Sequence, residues 1–333
     1  MYLSNTRMMK MLFSDPDMFW HMYVKWFGKI AFTKYTKHVI KPQKYAGKRV
    51  SADYEGNERI KELILADKPF LVGRPGATEI YLFLQGQMMQ QGIRKLAKDE
   101  DFRMAYVNTG IFPRTVDFIN KYAPYAAQTL SDCDLLNVSY CVMEDYVCKK
   151  YMQKDTELTY IRALDYWRFA SPWTTALKGK KVLVISPFAD TIQKQYAIRE
   201  KLYDNPEILP EFTLYTVKAV QTGGDEKDER FADWFEALEY MYEEAMQYDF
   251  DIAILSCGAY SMPLGAKFKA AGKGAIHMGG VCQMLFGIKG RRWQDEPGAG
   301  DFFNEYWTYP SAEETPKSAS IVENSAYWAR DKK

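Results

Sequence analysis

Five short segments combine glycine with side chains able to do chemistry: 74–79 (RPGATE), 108–113 (NTGIFP), 186–190 (SPFAD), 257–260 (CGAY) and 277–280 (HMGG). Arg74 follows the apolar run 69–73, where a charge is costly without an anionic partner. That partner is either a carboxylate of the chain or a ligand phosphate. Glu79 and Asp190 fall in the first turns of expected helices, where the dipole stabilises a carboxylate. Each reads as a cap, or else as an acid/base group; Glu79 also reads as a metal ligand. His277 is the only histidine beyond the N-terminal arm, and its ordinary pKa suits acid/base work or ligand binding. Gly76, Gly110, Gly258, Gly279 and Gly280 permit either tight turns or close approach of backbone to a ligand. The segment 287–293 (GIKGRRW) reads as a phosphate-facing loop carrying Lys289 and Arg291, or as a solvated turn.

The surrounding pattern dictates how these segments are held. Apolar runs at 69–73, 104–107, 134–138, 182–185, 213–220, 251–256 and 274–277 read as strands. Helical periodicity falls between them, at 58–66, 77–90 and 228–247 among others. Such alternation calls for parallel strands with crossover helices. The expected fold is α/β: a Rossmann-like open, mostly parallel sheet with helices on both faces. In such sheets ligands bind beyond the carboxyl ends of the strands. Several of the five turns also start helices, whose free N–H groups favour phosphate. A nucleotide or nucleotide sugar fits. No turn is a complete GxGxxG or GxxxxGK[ST] fingerprint, so a dinucleotide oxidoreductase or P-loop enzyme is not supported.

The chain has 333 residues, with 44 basic residues against 43 acidic ones. That balance argues against a nucleic-acid partner. Five cysteines, odd in number and without a CxxC pair, point to a reducing compartment. No apolar stretch approaches the ~20 residues of a membrane span. A cytoplasmic protein is expected, with the inner face of the membrane as a second possibility. Residues 1–60 form an aromatic-rich helical arm, and 61–333 the main domain. Phe19, Tyr23, Trp26 and Phe27 give the arm an apolar face. It is expected to pack on the body. The alternatives are an interfacial membrane helix with Lys25 and Lys29 on its rim, or contact with a second copy.

One resemblance adds to this reading. Its stretches are 172–174 (PWT), 177–185 (LKGKKVLVI), Pro187-Phe188, 257–260, 275–280 (AIHMGG) and 285–293 (LFGIKGRRW), with Asn304-Glu305, Trp307, Pro310, Glu323 and Tyr327-Trp328 in the tail. These resemble bacterial proteins grouped with GT-D-type glycosyltransferases, many linked to surface-polysaccharide synthesis. The segment 108–113 looks like that family's Asn-Ala-Gly-Phe-Phe-Pro turn. The resemblance implies a domain that takes a nucleoside-diphosphate sugar and transfers the sugar to a glycan or lipid-linked acceptor. For such chemistry the candidate donor contacts at the strand-end turns and the 287–293 loop are Arg74, Gly76, Asn108, Gly110, Ser186, Gly258, Ala259, Tyr260, Gly279, Gly280, Lys289 and Arg291. Acid/base work falls to Glu79, Asp190 or His277. The family's Asp-x-Glu element, which serves a divalent metal such as Mn²⁺ or Mg²⁺, is Ala77-Thr78-Glu79 here: the Glu is present and the Asp is not. Tyr260, Trp173 and Trp293 are candidates for stacking on a base or sugar. A catalytically inactive binding protein and another nucleotide-dependent transferase are the alternatives.

Overall fold

The computed structural model describes residues 5–36, 44–93, 102–224, 226–296 and 298–329. Its strands are β1 (Lys44–Tyr45), β2 (Lys48–Ser51), β3 (Phe70–Gly73), β4 (Leu135–Val138), β5 (Glu157–Tyr160), β6 (Lys181–Ser186), β7 (Thr213–Lys218), β8 (Ile252–Leu255) and β9 (Gly274–His277). They form one nine-stranded sheet in the order β1-β2-β5-β4-β3-β9-β8-β6-β7. Only β1 and β2 pair antiparallel; the other pairings are parallel. The α/β class and open, mostly parallel sheet expected from the sequence are therefore present.

The helices in chain order are α1 (Asn5–Ser14), α2 (Pro16–Phe19), α3 (Phe27–Thr36), α4 (Asp53–Leu65), α5 (Ala77–Gln90), α6 (Arg103–Thr109) and α7 (Val116–Gln128). They continue with α8 (Glu144–Tyr151), α9 (Ala189–Tyr196), α10 (Trp234–Met246), α11 (Ser261–Ala270), α12 (Val281–Leu285) and α13 (Arg291–Asp295). A π-helical stretch, Trp20–Trp26, joins α2 to α3. Alternation along each strand sends side chains to two cores. Leu71, Leu136, Leu183, Ile185 and Leu255 pack with α5, α7, α10 and α11. Phe70, Val72, Leu135, Val182, Val184 and Ile254 pack with α4, α9 and α12 on the other face. Strands buried on both sides must be continuously apolar, which is why they were legible as runs.

Two features differ from the sequence reading. The run 104–107 lies in helix α6, not a strand. Four apolar residues do not distinguish the two by periodicity, and Thr109 Oγ1 donating to the Ala105 carbonyl with Gly110 at φ +72° closes the segment as a helix. Residues 44–51, which the sequence reading placed within the helical arm, supply β1 and β2, and β2 extends the sheet through β5. Helix α4 spans residue 60 and buries Ile60 and Ile64 in the second core.

The arm itself packs on the body. Met11, Met18 and Trp26 join the first core. Asp145, at the start of α8, accepts from His21 Nδ1, Lys25 Nζ and Trp26 Nε1. Burial opposes ionisation there, yet the hydrogen bonds from His21 and Lys25 hold the carboxyl down to about 2. No helix among the described residues is long and apolar enough to cross a membrane.

After α13 the chain becomes a strap along the carboxyl edge of the sheet. Glu314 in this strap is buried. Its carboxylate accepts from the Asp190 and Thr191 backbone N–H groups and from Thr191 Oγ1. The strap thus supplies the anion that the N-terminus of α9 requires. Glu314→Ala leaves those donors buried without an acceptor and should cost about 2 kcal/mol. Thermal melts should show a midpoint lower by roughly 4 °C; an unchanged midpoint would show that water replaces the carboxylate.

Candidate functional site

A cavity of about 400 Å³ opens beyond the carboxyl ends of β3, β9, β8, β6 and β7. Small-molecule pockets span roughly 300–1,000 Å³, so this one has room for a ligand of nucleotide class. The β3–α5 turn contributes Arg74, Gly76, Thr78 and Glu79. His277, Gly279 and Gly280 come from the end of β9, and Ser256, Gly258 and Tyr260 from the end of β8. The loop after α6 adds Asn108 and Gly110, and the loop after β7 adds Gln221 and Thr222. The strap and α13 close the remaining side with Glu323, Tyr327, Trp328, Arg292 and Trp293.

Arg74 is the distinctive charge. It is partly buried at the end of a strand whose Phe70, Leu71 and Val72 are fully enclosed. Among the described residues its side chain makes no hydrogen bond and no ion pair. Gly279 makes room for it: a Cβ there would lie 2.6 Å from a guanidinium nitrogen, and the backbone has φ +63°. Beside it, α5 begins at Gly76 with no side-chain cap. The first N–H groups of a fourteen-residue helix and an unpaired guanidinium therefore face one space. By contrast Arg292, the other cavity arginine, is engaged by Glu323 and by Tyr327 Oη at 3.2 Å. The uncompensated positive charge is that of Arg74.

Two titratable groups lie next to it, and the surroundings of both shift them toward their neutral forms. Glu79 is folded back so closely on residue 76 that any Cβ there would collide with its Oε2. Burial raises its pKa above the ordinary 4.5, opposed by its own backbone N–H and by Arg74, and reinforced by Glu323. Burial and the Arg74 charge push His277 well below 6.5, a hydrogen bond to the Arg74 backbone opposing them. His277 Nδ1 is buried and has no hydrogen-bond partner; the same holds for Asn108 Oδ1. A neutral imidazole with a free nitrogen can accept a proton or a hydrogen bond from a ligand hydroxyl.

Of the residues singled out from the sequence, Arg74, Gly76, Glu79, Asn108, Gly110, Gly258, Tyr260, His277, Gly279 and Gly280 meet in this cavity. Ala259 lines a small adjoining hollow of about 20 Å³ with Glu79 and His277. Other expected residues lie elsewhere. Asp190 is exposed and lies 3.5 Å from Lys218 Nζ, because Glu314 already occupies the helix end it was expected to present. Ser186 Oγ is turned inward, accepting from the Phe188 N–H at 3.2 Å. Lys289 extends toward the Phe303 ring, and Arg291 donates to the Glu323 carbonyl. Their neighbour Arg292 faces the cavity instead. Gly279 donates its N–H to the Leu255 carbonyl, so that amide is not available to a ligand. Trp173 is fully buried in the second core, away from the site. Sequence reasoning missed Thr78, Gln221, Thr222 and the roles of Arg292, Glu323 and Tyr327. The last two stood in the tail pattern, the one signal that could have found them.

No group of three His, Cys, Asp or Glu suited to a metal occurs among the described residues. Glu79, the one ligand expected, is partly buried near the Arg74 guanidinium, and its surroundings raise its pKa above the ordinary 4.5. Compared with known protein families, with curated proteins and with solved structures, the chain has no match.

The two neutral groups give opposite pH signatures. Folded chain retains the Glu79 proton at pH values where unfolded chain, with pKa near 4.5, has released it. Glu79 therefore costs stability as pH rises above 4.5. His277 is protonated more readily when unfolded, so its cost appears as pH falls below 6.5. Melting curves across this range should place Glu79→Gln above the parent protein at neutral pH, with the two converging in acid. His277→Asn should lose less stability than the parent on acidification. Parallel curves for all three proteins would contradict the assigned burial.

Proposed function

We propose that the cavity takes a nucleoside-diphosphate sugar and that the protein transfers its sugar to an acceptor hydroxyl. The observation that carries this reading is the unpaired Arg74 guanidinium beside the uncapped start of α5, with the neutral His277 and Glu79 within the same cavity. The resemblance to GT-D-type glycosyltransferases in the segments 257–260, 275–280 and 285–293 supports the same reading.

In this mechanism the acceptor oxygen attacks the anomeric carbon while the bond to the diphosphate breaks. The diphosphate leaves as an anion, held by Arg74 and the Ala77 and Thr78 N–H groups. Those donors are worth most where negative charge develops in the transition state. The acceptor proton passes to His277 Nδ1. The bound diphosphate assists, since its negative charge offsets the Arg74 field that depresses the imidazole. Glu79, whose pKa is raised by burial, can when protonated donate a hydrogen bond to the leaving oxygen. Tyr260, stacked at 4.8 Å on Trp234, gives the cavity a fixed aromatic wall. No step is assigned to a metal. A glycan or a lipid-linked glycan is the acceptor class the resemblance suggests. A second reading, a binding protein without turnover, is favoured by Ala77 standing where the family has Asp.

A thermal-shift panel of UDP-, GDP-, CMP- and dTDP-sugars, each with and without Mn²⁺ or Mg²⁺, tests this. A ligand at ~100 times its Kd adds about 2.7 kcal/mol of stability. One nucleotide sugar should raise the midpoint selectively, and Arg74→Ala should abolish the rise. His277→Asn should preserve the rise and lower transfer roughly 100-fold. Full binding by Arg74→Ala would overturn the site. Binding without donor cleavage in the presence of candidate acceptors would leave the second reading.

A further inference from the structure

The arm divides its residues between two faces. Met11, Met18, His21 and Trp26 are buried against the body. Opposite them, Trp20, Val24, Phe27 and Ile30 are exposed along the π-helical stretch and α3, at 56%, 42%, 56% and 55%. Phe13 on α1 is 76% exposed. Five large apolar side chains on one short arm far exceed scattered surface exposure, and contiguous exposed apolar surface marks an interaction site.

Charge decides the partner. Residues 5–36 hold five Lys and Arg (Arg7, Lys10, Lys25, Lys29 and Lys34) against two acids, Asp15 and Asp17, whereas the whole chain is nearly neutral at +1. The remainder is accordingly net acidic. Both arm acids are engaged by the body: Asp17 pairs with Lys149, and Asp15 accepts from Tyr146 Oη and Gln87. What the arm presents outward is apolar and basic. Trp, Phe and Ile on one face with a basic excess around them suit an anionic lipid surface, where the apolar side chains enter the headgroup boundary and Lys and Arg meet lipid phosphates. The arm is held in place for this by Asp145, through His21, Lys25 and Trp26.

We infer that residues 9–34 form a peripheral membrane-docking surface for anionic lipid, with Trp20 and Phe27 as the inserted anchors. Lys29 Nζ lies over the Tyr140 ring, and Tyr140 follows Ser139, which lines the cavity. The docking surface itself rests on the arm alone and stands whatever ligand the cavity takes.

Vesicle co-sedimentation of the full chain tests it, with phosphatidylcholine vesicles and with vesicles that also contain phosphatidylglycerol. The protein should sediment with the anionic vesicles, weakly with the neutral ones, and less as salt rises. The double substitution Trp20→Glu and Phe27→Glu should weaken anionic-vesicle binding at least roughly tenfold, while the melting midpoint stays unchanged because both side chains are exposed. Equal binding by the double variant would overturn the proposal, as would failure of the parent protein to bind anionic vesicles. A concentration-dependent dimer that the same substitutions dissociate, without vesicle binding, would assign the face to a second copy and also overturn it.

Discussion

A guanidinium at the end of a buried strand, with no anion of its own, is the constraint around which this molecule is arranged. Strand β3 ends in Arg74 at the centre of the sheet, flanked by β4 and β9. An isolated charge in such a place is expensive unless solvent or a ligand compensates it. The surroundings preserve the deficit. Gly279 leaves space for the side chain, the surroundings shift His277 and Glu79 toward neutrality, and the other arginine that lines the cavity among the described residues, Arg292, is matched to Glu323. The fold thus maintains a positive site rather than neutralising it, the condition for binding an anion strongly and reversibly.

The contrast between α5 and α9 sharpens the point. Both begin directly after a parallel strand, the arrangement that makes helix starts into phosphate sites. At α9 the strap inserts Glu314, and the helix start is satisfied within the chain. At α5 the N-cap position is a glycine with no side-chain cap, and the group nearest the helix start is the carboxyl of Glu79, folded back from the first turn. One helix start is satisfied by a distant segment of the chain and the other only by a residue of its own first turn. The strap does double duty, since the same segment carries Glu323 and Tyr327 to the far wall of the cavity.

Much of this was legible in the sequence, for a physical reason. Strands buried on both faces must be apolar throughout, so 69–73, 182–185 and 251–256 announced themselves, and the polar turns after them marked the carboxyl edge. Short or partly exposed elements gave no such signal. Strand β2 is polar and near an edge, and α6 is a single short apolar run that suits either conformation. Asp190 and Glu79 were indistinguishable as residues in a first helical turn. Only tertiary structure shows that one helix end is already capped by a side chain 124 positions away. Arg291 and Arg292 are adjacent in sequence, and the rotation of the short helix α13 alone decides which reaches the cavity.

The account stands or falls on where an anion sits. The most direct measurement is a crystal structure of the protein soaked with a nucleoside diphosphate. The account predicts the diphosphate within hydrogen-bond distance of the Arg74 guanidinium and of the Ala77 and Thr78 N–H groups, with His277 on the side where an acceptor would enter. A diphosphate bound at another surface, leaving Arg74 without an anion, would contradict it.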